Sequence, residues 1–189
     1  MNKTTQPIKD KRRIEEILTY LRGKSSRNYM IAKIQLNTAR RISDIIGLKV
    51  SDFYSENGKL KESLTIKEKK TGKEAKIALN NSLCTAIANY MDEEGLQFND
   101  YLFQSRKGRN KPVSLTQVHR IFQDVAQALH LEDFGTHSLR KSWGYRCYQE
   151  TRNIGLIMSV LNHGSERETL RYIGITQKDI DKSYLNINF

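Results

Sequence analysis

Four side chains suited to chemistry at a phosphate lie within THSLRKSWGYRCYQETRNIGLIMSVLNHGSERETLRY, residues 136–172. His137 and Arg140 stand three positions apart in a segment where Leu139, Trp143 and Cys147 recur at helical intervals. On a helix the imidazole and the guanidinium therefore share a face. His163 follows in LNHGS, where Asn, Gly and Ser mark a helix end and a turn, and Tyr172 closes the stretch. Arginine grips an anion with a planar fork, histidine moves protons near neutral pH, and tyrosine offers an oxygen nucleophile. Taken singly, each has a plainer role: a chance His-x-x-Arg, a helix cap, a half-buried packing tyrosine. A phosphoryl transition state also wants a further cation, and its leaving alkoxide wants an acid.

Both have candidates earlier in the chain. In NTARRISDIIGLKVSDF, Arg41 sits near the start of a helix, where it opposes the helix dipole and is either solvated or held for an anion. Asp44, three residues on, shares its face and can orient it. Residues 63–79, SLTIKEKKTGKEAKIAL, alternate around a Thr-Gly turn and predict a β-hairpin crowded with Lys67, Lys69, Lys70, Lys73 and Lys76. Lys70, just before the turn, is the one placed to reach into a bound backbone, while Lys69 and Lys73 are candidate phosphate contacts.

The elements that must carry these residues are mostly helical. Ile14, Ile17, Leu18 and Leu21 give an amphipathic helix from about Ile8, ended by Gly23, and Tyr29, Met30, Ile34 and Leu36 a largely buried one. Thr38 is expected to break that helix and cap the next, which turns Ile42, Ile45, Ile46 and Leu48 inward. Asn80 and Asn81 cap a helix to about Glu94 with Leu83, Ile87 and Met91 inward, and Tyr101-Leu102-Phe103 reads as a short buried extended piece. Arg106, Lys107, Arg109 and Lys111 then share the loop SRKGRNKP, which is either a phosphate-tracking surface or an ordinary exposed turn. Ser114 caps a helix bearing Val118, Ile121, Phe122, Val125 and Leu129. Gly135-Thr136 opens the His137 helix, and Ile154–Leu161 make another. Ser165 and Glu168 form a candidate capping box before Tyr172, and Thr176 caps a last helix with Ile180 and Tyr184.

At 189 residues the chain is one ordinary domain or two small ones. Lys plus Arg exceed Asp plus Glu by 32 to 21, a formal charge of +11, which favours an anionic polymer as partner, nucleic acid first. Cys84 and Cys147 are far apart and without metal-site spacing, so a reducing compartment fits best. MNKTTQPIKDKRR has no apolar signal-peptide core, no run has membrane-spanning length, and a cytoplasmic protein is expected.

With T-A-R-R-I-S-D-I, K-K-T-G-K, H-S-L-R, L-N-H-G-S and T-L-R-Y in that order, the chain resembles the tyrosine recombinase family of phage and transposon integrases. The resemblance runs over nearly the whole chain from about residue 25. It implies a mainly α fold with a small antiparallel sheet, and site-specific recombination through a 3′-phosphotyrosyl intermediate for integration, excision or inversion of a mobile element. In that reading Tyr172 is the nucleophile and Arg41 and Arg140 clamp the non-bridging oxygens. His137 takes the tyrosine proton, Lys70 protonates the leaving 5′-oxygen, His163 hydrogen-bonds the scissile phosphate, and Asp44 supports Arg41 or His137. The ester energy stays in the protein–DNA link, so no metal or cofactor is implied. The expected partner is double-stranded DNA, contacted by Lys69, Lys73, Arg106, Lys107, Arg109, Lys111 and Lys141, with a tetramer on DNA, a monomer in free solution and nucleoid association.

The implied division is an N-terminal helix over residues 1–24, a DNA-cleaving domain over 25–175 and a tail helix over 176–189 exchanged between protomers. Arg41 comes too early for the helical clamp domain that usually precedes this domain in integrases. A small stand-alone member or a shortened integrase is therefore expected. The rival readings are a type IB topoisomerase, which uses a similar residue set, and a catalytically idle DNA-binding regulator.

Overall fold

Side chains that satisfy free backbone amides start five of the ten helices, as seen in a computed structural model that describes residues 5–186. Asp10 caps α1 (Lys11–Lys24), accepting from Arg12 N at 2.9 Å. The helix α2 (Ser26–Thr38) follows after a single extended residue, Ser25, and single turns come next as α3 (Ile42–Ile45) and α4 (Val50–Phe53). The hairpin β1 (Ser63–Lys67) and β2 (Glu74–Ala78) is antiparallel, with Lys67 opposite Glu74. The remaining helices are α5 (Asn81–Glu94), α6 (Leu115–Ala128), α7 (Ser138–Thr151), α8 (Ile154–Leu161), α9 (Glu166–Tyr172) and α10 (Gln177–Asn186). Asn80, Ser114, Asn153 and Ser165 cap α5, α6, α8 and α9 through their side chains. Among the described residues the architecture is mainly helical with one two-stranded sheet, as the sequence implies.

Two apolar clusters hold these elements. The larger gathers Ile17 and Leu21 of α1, Met30, Ile31 and Ile34 of α2, Leu64 and Ile66 of β1, Leu83 and Ile87 of α5, and Val118, Phe122 and Val125 of α6. Helix α1 thus packs into the same core as the rest. Leu102 and Phe103 are buried there, in an extended piece bridged at Lys49–Tyr101 and Gln104–Pro112. The smaller cluster joins Ala39, Ile157, Leu161 and Ile173, with Trp143, Tyr145 and Tyr172 packed against it. It lies directly beneath the candidate nucleophile.

Three boundaries depart from expectation. Helix α1 runs through Gly23 to Lys24, because Ser25 N still bonds Leu21 O at 2.9 Å. Thr38 does not cap a new helix; its hydroxyl bonds back to Ile34 O at 2.8 Å, and Ala39 turns the chain in a left-handed conformation with φ 55°. Arg41 is itself the N-cap residue of a single turn, so Leu48 is buried outside any helix. On α5 the inward aromatic is Tyr90, with Met91 only partly buried. Among the described residues, no helix is long and apolar enough to cross a membrane.

Candidate active site

Tyr172 ends α9, and Ser165 Oγ starts that helix by accepting from Glu168 N at 3.2 Å. The other half of the expected capping box is displaced: the Glu168 carboxylate takes Gly164 N at 3.3 Å rather than Ser165 N. The Tyr172 hydroxyl lies 3.3 Å from Nδ1 of His137, the residue at the start of α7. Proton transfer between them therefore needs no large movement. The Tyr172 ring stands edge-on to His163, centroids 4.8 Å apart at 80°. His163 Nδ1 pairs with the hydroxyl of buried Thr169 at 3.1 Å, which fixes the ring's orientation.

Arg140 is almost wholly buried at 1% exposure. Its Nη1 donates to Ala39 O at 2.8 Å and its Nη2 to Leu161 O at 2.9 Å, while Nε has no partner. The left-handed turn at Ala39 and the C-terminal end of α8 therefore supply the carbonyls that hold this guanidinium. The guanidinium thus keeps donor capacity beyond these two carbonyls. Arg41 donates Nη1 to Glu68 Oε2 at 2.9 Å and is only partly buried.

Electrostatics bind the cluster together. Burial pushes the Tyr172 phenol above its ordinary range, and the positive charges of Arg140 and Arg41 oppose that rise. His137 is solvent-exposed, yet the desolvation its neighbours impose, followed by the charges of Arg140, Lys141 and Arg41, holds it below the ordinary histidine range. Desolvation likewise lowers His163, with Glu168 opposing. Both imidazoles thus favour the neutral form, which can accept a proton or a hydrogen bond.

The structure brings Arg41, His137, Arg140, His163 and Tyr172 together. Lys70 is exposed on the β1–β2 turn, tied to the cluster through its neighbours: Lys69 N donates to Asp44 Oδ1 at 3.0 Å, and the Thr71 hydroxyl to Glu68 at 2.9 Å. Asp44 is consequently not the main support of Arg41. Its Oδ2 is 4.0 Å from Arg41 Nη1, and its nearer partner is the hairpin backbone. The carboxylate that takes Arg41 is Glu68, absent from the sequence-based set.

Glu68 was legible in one respect. Strand alternation puts Leu64 and Ile66 inward, and the next inward position in that period is 68. A charge on a buried face signals a partner. Among the expected DNA contacts, Lys69, Lys73, Arg106, Lys107, Arg109 and Lys111 are exposed. Arg106 and Lys107 line an open groove with Lys24, Arg27 and Arg120. Lys141 is not brought to the open surface: it is 8% exposed, its ammonium bonds Thr5 O at 2.6 Å and it lies 4.9 Å from the centre of the Tyr172 ring. The helical direction from α7 carries it under the Tyr172 ring instead of toward solvent.

Known proteins resemble this chain to differing extents. The chain is 40% identical over 179 residues to the probable integrase/recombinase YoeC of Bacillus subtilis, covering 95% of this chain and 94% of that one. It is 25% identical to the tyrosine recombinase XerA of Pyrococcus furiosus, spanning 93% of this chain but 59% of the relative. Superposition on a crystal structure of XerA recombinase gives a TM-score of 0.75 at 18% identity, over 97% of this chain and 67% of that one. A XerH site-specific recombinase bound to palindromic difH substrate gives 0.72 at 22% identity, over 97% and 53%. These structural likenesses establish the fold. The family model for the phage integrase family matches residues 9–178, nearly the whole chain, and the chain belongs to that family.

Proposed function

We propose that this chain cuts and rejoins double-stranded DNA by transesterification on Tyr172, as a site-specific recombinase. The observation that carries the reading is the Tyr172 hydroxyl 3.3 Å from His137 Nδ1, within the field of Arg140 and Arg41. His137 takes the phenolic proton as Tyr172 Oη attacks phosphorus. The phosphorus–5′-oxygen bond breaks, Lys70 protonates the departing 5′-oxygen, and the 3′ end remains esterified to Tyr172. An incoming 5′-hydroxyl reverses the step, so the ester's energy is kept.

Charge that builds on the non-bridging oxygens is met by the donors of Arg140 not given to Ala39 and Leu161 and by the part of the Arg41 fork not given to Glu68. His163, its ring oriented by the Thr169 hydroxyl, donates a ring N–H to the same phosphate. Lys69, Lys73 and the cations of the 105–111 loop contact the DNA backbone on either side. Recombination joins protomers into a tetramer on DNA, with the tail from about Thr176 docking on a neighbour, and the free chain is a monomer in a nucleoid-associated, cytoplasmic pool.

The test is covalent trapping on nicked duplexes from a random-sequence pool. Wild type should give an SDS-resistant adduct enriched in particular sequences. Tyr172→Phe keeps the ring and its packing, so it should still shift DNA in a gel yet form no adduct. An adduct from the phenylalanine variant would refute the assignment, and an adduct with no sequence enrichment, with relaxation of a separate supercoiled plasmid, would favour a topoisomerase.

A further inference from the structure

Arg40 and Glu68 take no part in the chemistry above, yet their side chains are 3% and 0% exposed. Glu68 Oε1 accepts from Arg40 Nη1 at 2.6 Å. Its Oε2 accepts from Arg41 Nη1 and from the Thr71 hydroxyl, both at 2.9 Å. Arg40 in turn donates Nε to Thr38 O at 3.1 Å and Nη2 to Val160 O.

These partners belong to segments distant in sequence. Thr38 ends α2 just before Arg41, Thr71 follows Lys70 on the hairpin turn, and Val160 lies three residues before His163. One buried ion pair therefore ties together the segments that carry a phosphate-gripping cation, the general acid and a phosphate hydrogen-bonder. Stability alone does not explain such a pair. Apolar side chains of similar volume would hold the place about as well, because desolvating two charges offsets their attraction. Glu68 also supplies negative charge where the Arg40, Arg41 and Arg140 guanidiniums influence one another. Without it they would repel, and Arg41, the least buried, would swing toward solvent.

We propose that Glu68, anchored by Arg40, is a positioning residue for strand transfer that sets the Arg41 fork and the Lys70 turn against the same phosphodiester. The inference rests on the phosphotyrosyl reading above.

The experiment measures single-turnover cleavage of a trapped duplex with three scissile groups: ordinary phosphate, a 5′-bridging phosphorothiolate and a methylphosphonate. Sulfur leaves without protonation, so it bypasses Lys70; the methylphosphonate is uncharged, so it relaxes the need for Arg41. Glu68→Gln keeps the shape and loses the charge, and misplacing both groups should slow cleavage of ordinary DNA about a hundred-fold, with DNA affinity unchanged. The methylphosphonate should recover part of that loss. Thr71→Val removes only the side-chain bond that fixes the Glu68 carboxylate to the Lys70 turn and leaves both arginine contacts, so its slower cleavage should be recovered by the phosphorothiolate and not by the methylphosphonate.

Should Glu68→Gln fail to fold, Thr71→Val decides the matter. Wild-type rates on ordinary DNA for Thr71→Val, or a loss of the same factor on all three substrates, would overturn the positioning role. If the wild type forms no adduct on any substrate, the phosphotyrosyl reading falls instead, a result that depends on no variant.

Discussion

His137 is the proton acceptor in the proposed reaction, and its lowered pKa gives a sign to the pH dependence. A histidine held below its ordinary value near 6.5 binds a proton less readily in the folded than in the unfolded chain. Its contribution to stability is therefore present at neutral pH and is lost as pH falls through the ordinary value toward the folded one. The same shift keeps the imidazole neutral at pH 7, so cleavage should fail on the acid side only below the free-histidine range. Single-turnover rates against pH check this, and His137→Gln should remove the acid limb. An acid midpoint above about 6.5, or a limb that survives the substitution, would point to another base. Lys70 carries a separate expectation. Lys70→Ala should cleave ordinary DNA poorly and a 5′-bridging phosphorothiolate at close to the wild-type rate. If sulfur is no faster in the variant, Lys70 is a phosphate contact and Lys69 or Lys73 becomes the acid.

Between the residues and their geometry stand short elements whose packing is exacting. Gly144 on α7 faces Ile173, the residue after the nucleophile, and a Cβ there would come within 2.7 Å of Ile173 Cγ2 and 3.5 Å of Leu161 Cδ1. Gly144→Ala should cost about 1–3 kcal/mol through overpacking. Thermal unfolding would register it, and the displaced Tyr172 should slow cleavage more than it weakens DNA binding. Equal stability and full activity would mean that α7 and α9 are not rigidly coupled. The long, strongly periodic helices were legible in the sequence because capping and apolar spacing are local signals. The backbone between Thr38 and Leu48 was not, because there a left-handed Ala39 is held by Arg140, 101 residues away. Glu68 was only half legible for a related reason: alternation turns position 68 inward, but only the fold shows that Arg40 and Arg41 are its partners. The placement of Lys141 beside the Tyr172 ring was not legible either, because it depends on the side chain's direction from the helix.

The whole molecule carries a formal charge of +11, and its exposed cations should make DNA affinity fall steeply with salt. Replacing Arg106 and Arg109 with alanine removes two expected phosphate contacts and should reduce the slope of log K against log salt by about 1.8. A weaker complex with an unchanged slope would mean that those arginines act through folding. At the far end, Asp179 caps Thr176 N at 2.9 Å and pairs with Lys9 at 3.7 Å, while Tyr184 and Leu185 of α10 are 77% and 78% exposed. Ile187 and Phe189, which continue the apolar stripe expected from the sequence, lie outside the described residues. Deleting the chain after Ile175 should leave cleavage of single sites largely intact and abolish recombination of paired sites. An unfolded or fully recombining truncation would deny the tail its coupling role. The central claim is tested most directly by digesting the trapped adduct with trypsin and mapping the peptide that carries DNA. The account predicts a 3′-phosphate ester on the peptide that begins at Tyr172, YIGITQK, together with a free 5′-hydroxyl on the released strand. DNA attached to any other residue, or through its 5′ end, would contradict it.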